Sequence, residues 1–152
     1  MILSLFLTAV VIALDLVSKH FFYGNAATSI LGDFLWFEST LNKGAAFSIF
    51  SSEDMQVVFI VFSALAALVM LMLIVTKTFL KSKAEKILVS LILGGTIGNM
   101  IDRIIYGGVR DFIYLKFMNF AIFNVADMFI TISIIILLIY VIVHMFKKEK
   151  ND

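Results

Sequence analysis

Long uncharged apolar runs separated by short polar segments dominate this chain, and they predict four membrane-spanning helices. The runs give helices over about 2–22, 56–76, 86–105 and 125–146. A helix needs about 20 apolar residues to cross a bilayer, so each run is long enough. A cleaved signal peptide is the alternative for the first run. Against it, no basic segment precedes the run, and Asp15 and Lys19 interrupt it where a cleavage signal should begin.

Two segments between the helices have patterns typical of strands. Within 25–50, strand-favouring aromatics around Trp36 precede a turn signal at 42–44, which predicts a small external β segment at the membrane surface. Amphipathic aromatic rings settle among lipid headgroups, so Trp36 is expected there. The segment 109–117 is predicted to be extended, with Asp111 on its apolar face by the period of two. Burial of that kind raises the pKa of a carboxyl group.

Composition and charge narrow the class of protein. The chain has 152 residues, of which 62% are hydrophobic and 15% charged, and its mean hydropathy is +1.07. Soluble domains carry about 25% charged residues, so this is a membrane-protein composition. The net charge of +1 gives no sign of a nucleic-acid partner, and the absence of cysteine excludes disulfides, thiolate metal sites and a cysteine nucleophile. One integral-membrane domain over 1–152 is expected, as a monomer in contact with the lipid bilayer.

Lysines predict the orientation, because cytoplasmic loops are enriched in them. They concentrate between the second and third helices and at the C-terminus, so both termini are predicted to be cytoplasmic. The segments 22–55 and 104–124 then face the opposite side, together with Asp111 and Asp127. The lysines concerned are Lys77, Lys81, Lys83, Lys86, Lys147, Lys148 and Lys150.

Polar residues inside the helices have two interpretations each. Asp15 and Lys19 are four residues apart, so they lie on one helix face. They either form a structural ion pair or contribute to chemistry. In the third helix, small and polar residues recur at steps of four. Such stripes bring helices close together, and the polar outer end could also position a site. The two stripes are Ser90, Gly94, Gly98 and Asp102, and Gly95, Asn99 and Arg103.

Asp127 also has a structural explanation. Asn124 followed three residues later by an acid resembles a capping box at the start of the fourth helix. The helix dipole favours a carboxylate there by about 0.3–1 kcal/mol. Capping therefore explains Asp127, but it does not explain Asp111.

Elimination leaves a carboxylate pair as the chemistry of a membrane hydrolase. His20 and His144 are predicted on opposite sides of the membrane, and neither Gly-x-Ser-x-Gly nor His-Glu-x-x-His occurs. No cofactor or metal is expected. Two adjacent aspartates can share one proton while the ionised partner activates water. Two other classes stay open: a proton- or ion-coupled small membrane carrier, and an assembly subunit whose polar residues only join helices.

Five motifs in order resemble those of a known family over nearly the whole chain. They are Asp15-x-x-Ser-Lys19, Asn42-x-Gly-Ala-Ala-Phe47, Gly94-Gly-x-x-Gly-Asn99-x-x-Asp-Arg103, Val109-x-Asp-Phe112 and Phe123-Asn-x-Ala-Asp127. With four helices, they are similar to bacterial lipoprotein signal peptidase, also called signal peptidase II. The resemblance implies a membrane all-α fold with a small β part, namely four transmembrane helices and an extracytoplasmic β-cradle.

The resemblance also implies an activity. The family consists of globomycin-sensitive aspartic endopeptidases of the bacterial cytoplasmic membrane. They cut prolipoproteins just before a diacylglyceryl-modified cysteine, which makes such signal peptides the expected partners. Asp111 and Asp127 match the catalytic dyad. Substrate-binding or supporting positions are matched by Asp15, Lys19, Asn42, Gly44, Asn99, Arg103, Asn124 and Ala126.

The chain departs from the family at two positions. Leu16 stands where Gln is frequent, and Arg110 stands beside Asp111 where an apolar residue is common. Two outcomes are open for Arg110: it lowers the pKa of Asp111, or it points the other way toward lipid phosphates.

Overall fold

The computed structural model describes residues 1–44, 53–76, 79–80 and 82–149, and it contains the predicted helices and sheet. The helices are α1 (Ile2–Phe22), α2 (Glu53–Thr76), α3 (Lys83–Tyr106) and α4 (Val125–Glu149). The strands are β1 (Thr28–Leu31), β2 (Leu35–Asn42) and β3 (Val109–Tyr114), and a 3-10 turn follows at Lys116–Met118. The predicted fold class, a helical membrane protein with a small β part, is confirmed.

Helix ends extend beyond the apolar runs that predicted them. α2 begins at Glu53 and α3 at Lys83, each three residues before the predicted start. Ser82 explains the start of α3: its hydroxyl accepts from the backbone N–H of Glu85, whose carboxylate accepts from the N–H of Ser82. This capping box satisfies backbone groups that an apolar sequence cannot. α4 continues three residues past the predicted 146, to Glu149.

α3 occupies the centre of the bundle and packs against α1, α2 and α4. Glycines make the close approach possible. A Cβ on Gly94 would lie 2.7 Å from Cβ of Val11, and one on Gly98 would lie 2.5 Å from Oδ2 of Asp15. The small-residue stripe therefore allows close helix packing, which was one of its two predicted roles. Between α2 and α3, the buried side chains form a small apolar core of Ile74, Leu80, Val89 and Leu93.

Apolar side chains cover the outside of the bundle. Within the described residues, four helical stretches are long and apolar enough to cross a membrane: Ile2–Phe22, Met55–Thr76, Lys83–Tyr106 and Val125–His144. Exposed side chains such as Phe62 and Leu65 on α2 would be unfavourable in water, but they suit hydrocarbon. The exterior is therefore the lipid-facing surface of a multi-pass membrane protein.

The three strands form an antiparallel sheet in the order β1-β2-β3. β2 pairs with β3 so that Thr40 faces Asp111 and Asn42 faces Val109. The predicted β segment 25–50 contains β1 and β2, and its last part, 45–50, lies outside the described residues. The prediction that 109–117 is extended is wrong beyond Tyr114, because the chain turns into the 3-10 segment and reaches a left-handed conformation at Asn119 (φ 49°). The headgroup position of Trp36 stays a prediction.

Candidate active site

Asp111 lies in β3 with only 1% of its surface exposed, and two amides hold its carboxylate. Nδ2 of Asn42, at the end of β2, donates to Oδ2 of Asp111 at 3.1 Å. Nδ2 of Asn124 donates to Oδ1 of Asp111 at 2.6 Å. The strand pairing explains the first contact, because antiparallel neighbours place Asn42 beside the strand that carries Asp111. The predicted orientation of Asp111 toward the interior is therefore correct.

Asp127 lies in the first turn of α4 and exchanges hydrogen bonds with Asn124. The N–H of Asn124 donates to Oδ2 of Asp127 at 3.2 Å, and the N–H of Asp127 donates to Oδ1 of Asn124 at 3.0 Å. This reciprocal pair confirms the predicted capping box. Asp127 has a second partner, because its Oδ1 accepts from Nδ2 of Asn99 on α3 at 2.8 Å. Capping therefore accounts for one carboxylate oxygen only.

Asn99 and Asn124 join the two carboxylates into one network. Nδ2 of Asn124 also donates to Oδ1 of Asn99 at 3.1 Å, so each amide contacts the other as well as an aspartate. We refer to Asp111, Asp127, Asn42, Asn99 and Asn124 as the amide cluster. In the described part of the chain, the hydrogen bonds that reach its two carboxylates come from amide groups, which carry no charge.

Burial changes the acidity of the Asp111 carboxyl group. Burial, and secondarily the negative charge of Asp127, raise its pKa from 3.8 to about 7. Hydrogen bonds from Asn124 and Asn42 and the charge of Lys19 act in the opposite direction with smaller effect. A carboxyl group with this pKa is partly protonated near neutral pH, which is the state that a proton-sharing pair needs. The predicted direction of the shift is confirmed.

Arg103 and Gly44 lie beside the same site. Nη2 of Arg103 donates to the carbonyl of Gly44 at 3.0 Å, and the guanidinium lies 5.1 Å from the ring centroid of Phe59. Among the described residues, its buried Nε has no hydrogen-bond acceptor. Gly44 in turn donates its N–H to Oδ1 of Asn42 at 3.0 Å, which orients the Asn42 amide toward Asp111. The remainder of this motif, Ala45, Ala46 and Phe47, lies outside the described residues.

Asp15 and Lys19 form the predicted ion pair and also contact the site. Nζ of Lys19 lies 2.7 Å from Oδ2 of Asp15, and both side chains are fully buried. Oδ1 of Asp15 accepts from the N–H of Ala126 at 3.0 Å, which ties α1 to the first turn of α4. Nζ of Lys19 also donates to Oδ1 of Asn99 at 3.0 Å. The structural interpretation of the pair holds, and the pair lies directly beside the amide cluster.

Asp102 is a contact residue that the predicted set of site residues omitted. It is fully buried and lies 3.2 Å from Nζ of Lys19. Its carboxylate also binds Arg110, whose Nη2 lies 2.8 Å from Oδ1. We refer to Asp15, Lys19, Asp102 and Arg110 as the ion-pair cluster. A sequence signal existed, because Asp102 continues the Ser90–Gly94–Gly98 stripe that faces α1 at the level of Lys19.

Of the expectations for Arg110, the lowered pKa of Asp111 is wrong, the orientation away from Asp111 is confirmed, and the contact with lipid phosphates stays a prediction. Its guanidinium points away from Asp111 to Asp102, and it stacks 4.1 Å above the ring centroid of Tyr106. The pKa of Asp111 is raised rather than lowered, with Arg110 absent from its causes. The alternation of side chains along β3 explains the direction, since neighbouring residues of a strand point to opposite faces.

A cavity of about 510 Å³ opens beside the amide cluster. One side is polar and includes Asp111, Asp127 and Arg103. The rest of the lining is apolar and is contributed by the segment before α4 and by α4 itself, through Leu115, Phe120, Ala121, Ile122, Phe123, Met128 and Ile132.

In the described chain, no group of three or more His, Asp or Glu side chains is arranged to hold a metal ion.

Four apolar helices and two hydrogen-bonded carboxylates beside a largely apolar cavity define a multi-pass membrane protein with a candidate hydrolytic site. The family model described as signal peptidase (SPase) II matches residues 7–143. The chain therefore belongs to the signal peptidase II family and is a peptidase, as the motifs predicted.

Relatives and solved structures agree with this assignment. The chain is 37% identical over 150 residues to a lipoprotein signal peptidase of Streptococcus agalactiae, covering 95% of this chain and 92% of the relative. It is 36% identical over 145 residues to that of Coxiella burnetii, covering 91% and 88%. A bacterial membrane enzyme solved at 2.3 Å superposes with a TM-score of 0.83 at 27% identity, covering 93% of this chain and 88% of that one.

Proposed function

We propose that the protein is an aspartic endopeptidase that removes signal peptides from diacylglyceryl-modified bacterial prolipoproteins, cutting N-terminal to the lipidated cysteine. The observation that carries the proposal is the bridging of the two carboxylates by Asn124. This amide contacts Asp111 through Nδ2 and Asp127 through Oδ1 and its backbone N–H. Acids held this close are difficult to ionise together, so the pair retains one proton.

The shared proton supports hydrolysis without a covalent intermediate. The ionised carboxylate removes a proton from water, whose oxygen attacks the scissile carbonyl carbon. The protonated carboxyl donates its proton to the carbonyl oxygen, and a tetrahedral diol forms. Return of a proton to the departing amide nitrogen then breaks the carbon–nitrogen bond. The pair titrates as a unit, so the acid and base roles belong to Asp111 and Asp127 together.

The surrounding residues have supporting roles in this proposal. Asn42, Asn99 and Asn124 orient the carboxylates through their amides. Arg103 presents a positive charge beside the pair, which stabilises developing negative charge on the diol. Gly44 orders Asn42 through its N–H, and Asp15 and Ala126 hold the start of α4. Lys19 donates to Oδ1 of Asn99, whose Nδ2 faces Asp127.

The cavity supports a substrate that is both peptide and lipid. Its polar side offers the two carboxylates to an amide bond, and its apolar side, including Phe123 and Met128, suits acyl chains or the apolar part of a signal peptide. The position of the cut before a lipidated cysteine rests on the family resemblance. No cofactor is part of the proposed mechanism.

Location and orientation complete the proposal. The protein forms one integral-membrane peptidase domain, a monomer over 1–152, in the bacterial cytoplasmic membrane. The lysines of the 77–86 loop and of the C-terminal tail support cytoplasmic termini. The amide cluster lies at the other end of the helices, beside the sheet, which supports an extracytoplasmic active site.

Cleavage of a diacylglyceryl-modified prolipoprotein by the purified protein tests the proposal. Asp111→Asn and Asp127→Asn should each lower kcat by about 10³-fold or more, because each removes one partner of the proton transfer. Asp33→Asn, an exposed carboxylate at the edge of the sheet, is the matched control and should leave kcat unchanged. Globomycin should inhibit the wild type. Substantial cleavage by either dyad variant would contradict the mechanism, and proton- or ion-driven flux in proteoliposomes without cleavage would favour a carrier.

A further inference from the structure

Asp102 has contacts in two directions, although its side chain does not line the cavity. It lies in the last turn of α3, and it is fully buried. Oδ2 accepts the backbone N–H of Arg110 at 2.9 Å and lies 3.2 Å from Nζ of Lys19. Oδ1 accepts from Nη2 and Nε of Arg110 at 2.8 and 3.2 Å. One carboxylate therefore joins the start of β3 to a lysine of α1.

The contact with Arg110 fixes how β3 leaves α3. The helix ends at Gly107 in a left-handed conformation with φ 66°, which glycine adopts without strain. Three residues after Gly107, both the main chain and the side chain of Arg110 return to Asp102, and the guanidinium stacks on Tyr106. Asp111 is the next residue along the strand. The position of its carboxylate therefore depends on this corner as well as on Asn42 and Asn124.

The contact with Lys19 reaches Asp127 through Asn99. Lys19 donates to Oδ1 of Asn99, and Nδ2 of the same amide donates to Oδ1 of Asp127. An ammonium group can only donate, so it requires the oxygen of Asn99 to face it. The NH₂ group must then face Asp127. Asp102, at 3.2 Å from Nζ, balances the charge of Lys19 together with Asp15 at 2.7 Å and helps to hold it in place.

We propose that Asp102 is a positioning residue for both aspartates, acting on Asp111 through Arg110 and on Asp127 through Lys19 and Asn99. This inference rests on the proposed proton-sharing function of Asp111 and Asp127. One buried carboxylate thereby fixes the relative position of two reacting groups on different elements. Displacement of a reacting group by about 1 Å costs about 10²-fold in rate.

Asp102→Asn tests the inference because it keeps the size of the side chain and removes its charge. It should lower kcat about 100-fold, since the reacting groups are displaced, and leave KM close to the wild-type value, since Asp102 does not line the cavity. Thr8→Val is the matched control. It removes a buried hydrogen bond from Thr8 to the carbonyl of Ser90 in the same α1–α3 interface, away from the site. This control should lower thermal stability while kcat stays unchanged.

Hydrogen exchange gives a second measurement that does not depend on activity. The N–H groups of Phe112 and Ile113 both donate to the carbonyl of Phe123, at 3.0 and 2.8 Å. Their exchange should become faster in Asp102→Asn and remain unchanged in Thr8→Val. Arg110→Met is a further variant if Asp102→Asn does not accumulate, because its backbone N–H still reaches Asp102. It should show the same changes to a smaller extent.

The outcomes separate this inference from the proposed function. The positioning role alone would be overturned if Asp102→Asn and Arg110→Met have a kcat no lower than that of Thr8→Val while the dyad variants are inactive in the same assay. Active dyad variants would overturn the proposed function and this inference with it. Both the positioning role and the proposed function are supported if Asp102→Asn loses kcat at wild-type KM, exchange at Phe112 and Ile113 becomes faster, and the dyad variants are inactive.

Discussion

The ion-pair cluster and the amide cluster lie side by side at one end of the bundle, and each contains two carboxylates. In the first cluster, Lys19 and Arg110 supply two positive charges to the acids Asp15 and Asp102. In the second, the acids Asp111 and Asp127 are held by uncharged amides. Each acid of the first cluster has a positive charge within 3.2 Å, whereas burial and the neighbouring Asp127 raise the pKa of Asp111 to about 7, which leaves a proton available near neutral pH. The comparison shows that one fold gives the same residue type two different sets of partners.

Lys19→Met breaks the ion-pair cluster and should have the largest effect on stability. Removal of one partner from a buried pair leaves an uncompensated charge, which costs about 3–5 kcal/mol. The measurement is the thermal unfolding temperature of the purified protein in detergent.

A double variant is the control for Lys19→Met. Asp15→Leu combined with Lys19→Met leaves the Asp102–Arg110 pair intact and balanced. It should recover much of the lost stability, but not all, because the N–H of Ala126 loses its acceptor. A Lys19→Met protein as stable as the wild type would contradict the distinction between the clusters.

Asp111→Asn tests the amide cluster through the pH dependence of stability. The pKa of Asp111 is raised to about 7 in the folded protein from 3.8. Between these values the folded state binds more protons than the unfolded state, so stability falls as pH rises. The variant lacks this loss. Its unfolding temperature relative to wild type should therefore rise by several degrees from pH 4 to about pH 7 and then level off.

The same titration predicts the pH dependence of activity. Loss of the shared proton removes the general acid, so wild-type kcat should decline as pH rises above about 7. Measurement of kcat from pH 5 to pH 9 checks this, with denaturation excluded at each pH. Undiminished activity at the alkaline end would show that the pair does not hold a proton near neutrality.

Asp33→Asn should have the smallest effect on stability. Oδ1 of Asp33 lies 3.2 Å from Nζ of Lys116, but the two side chains are 87% and 41% exposed. Solvent screens such pairs, so they contribute little to stability. No measurable change in unfolding temperature is expected at any pH. A loss similar to that of Lys19→Met would show that burial does not determine the strength of these ion pairs.

Local patterns predicted the helices and the capping at Asp127, since hydropathy and the Asn124–Asp127 spacing are read from adjacent residues. The pairing of Asp111 with Thr40 could not be predicted this way, because strand register joins segments far apart in sequence. The same holds for Asp102. Its place in a small-residue stripe was visible, but its contact with Arg110 depends on the turn at Gly107 that ends α3.

The position of Asp127 in the first turn of α4 has a consequence for the depth of the reaction. The apolar span of this helix, Val125–His144, is 20 residues and about 30 Å long, close to the thickness of the hydrocarbon layer. Asp127 is therefore only about 3 Å along the helix axis from the start of that span. At this shallow level, a thicker or thinner bilayer would move the Asp127 carboxylate relative to the lipid-anchored bond of the proposed substrate.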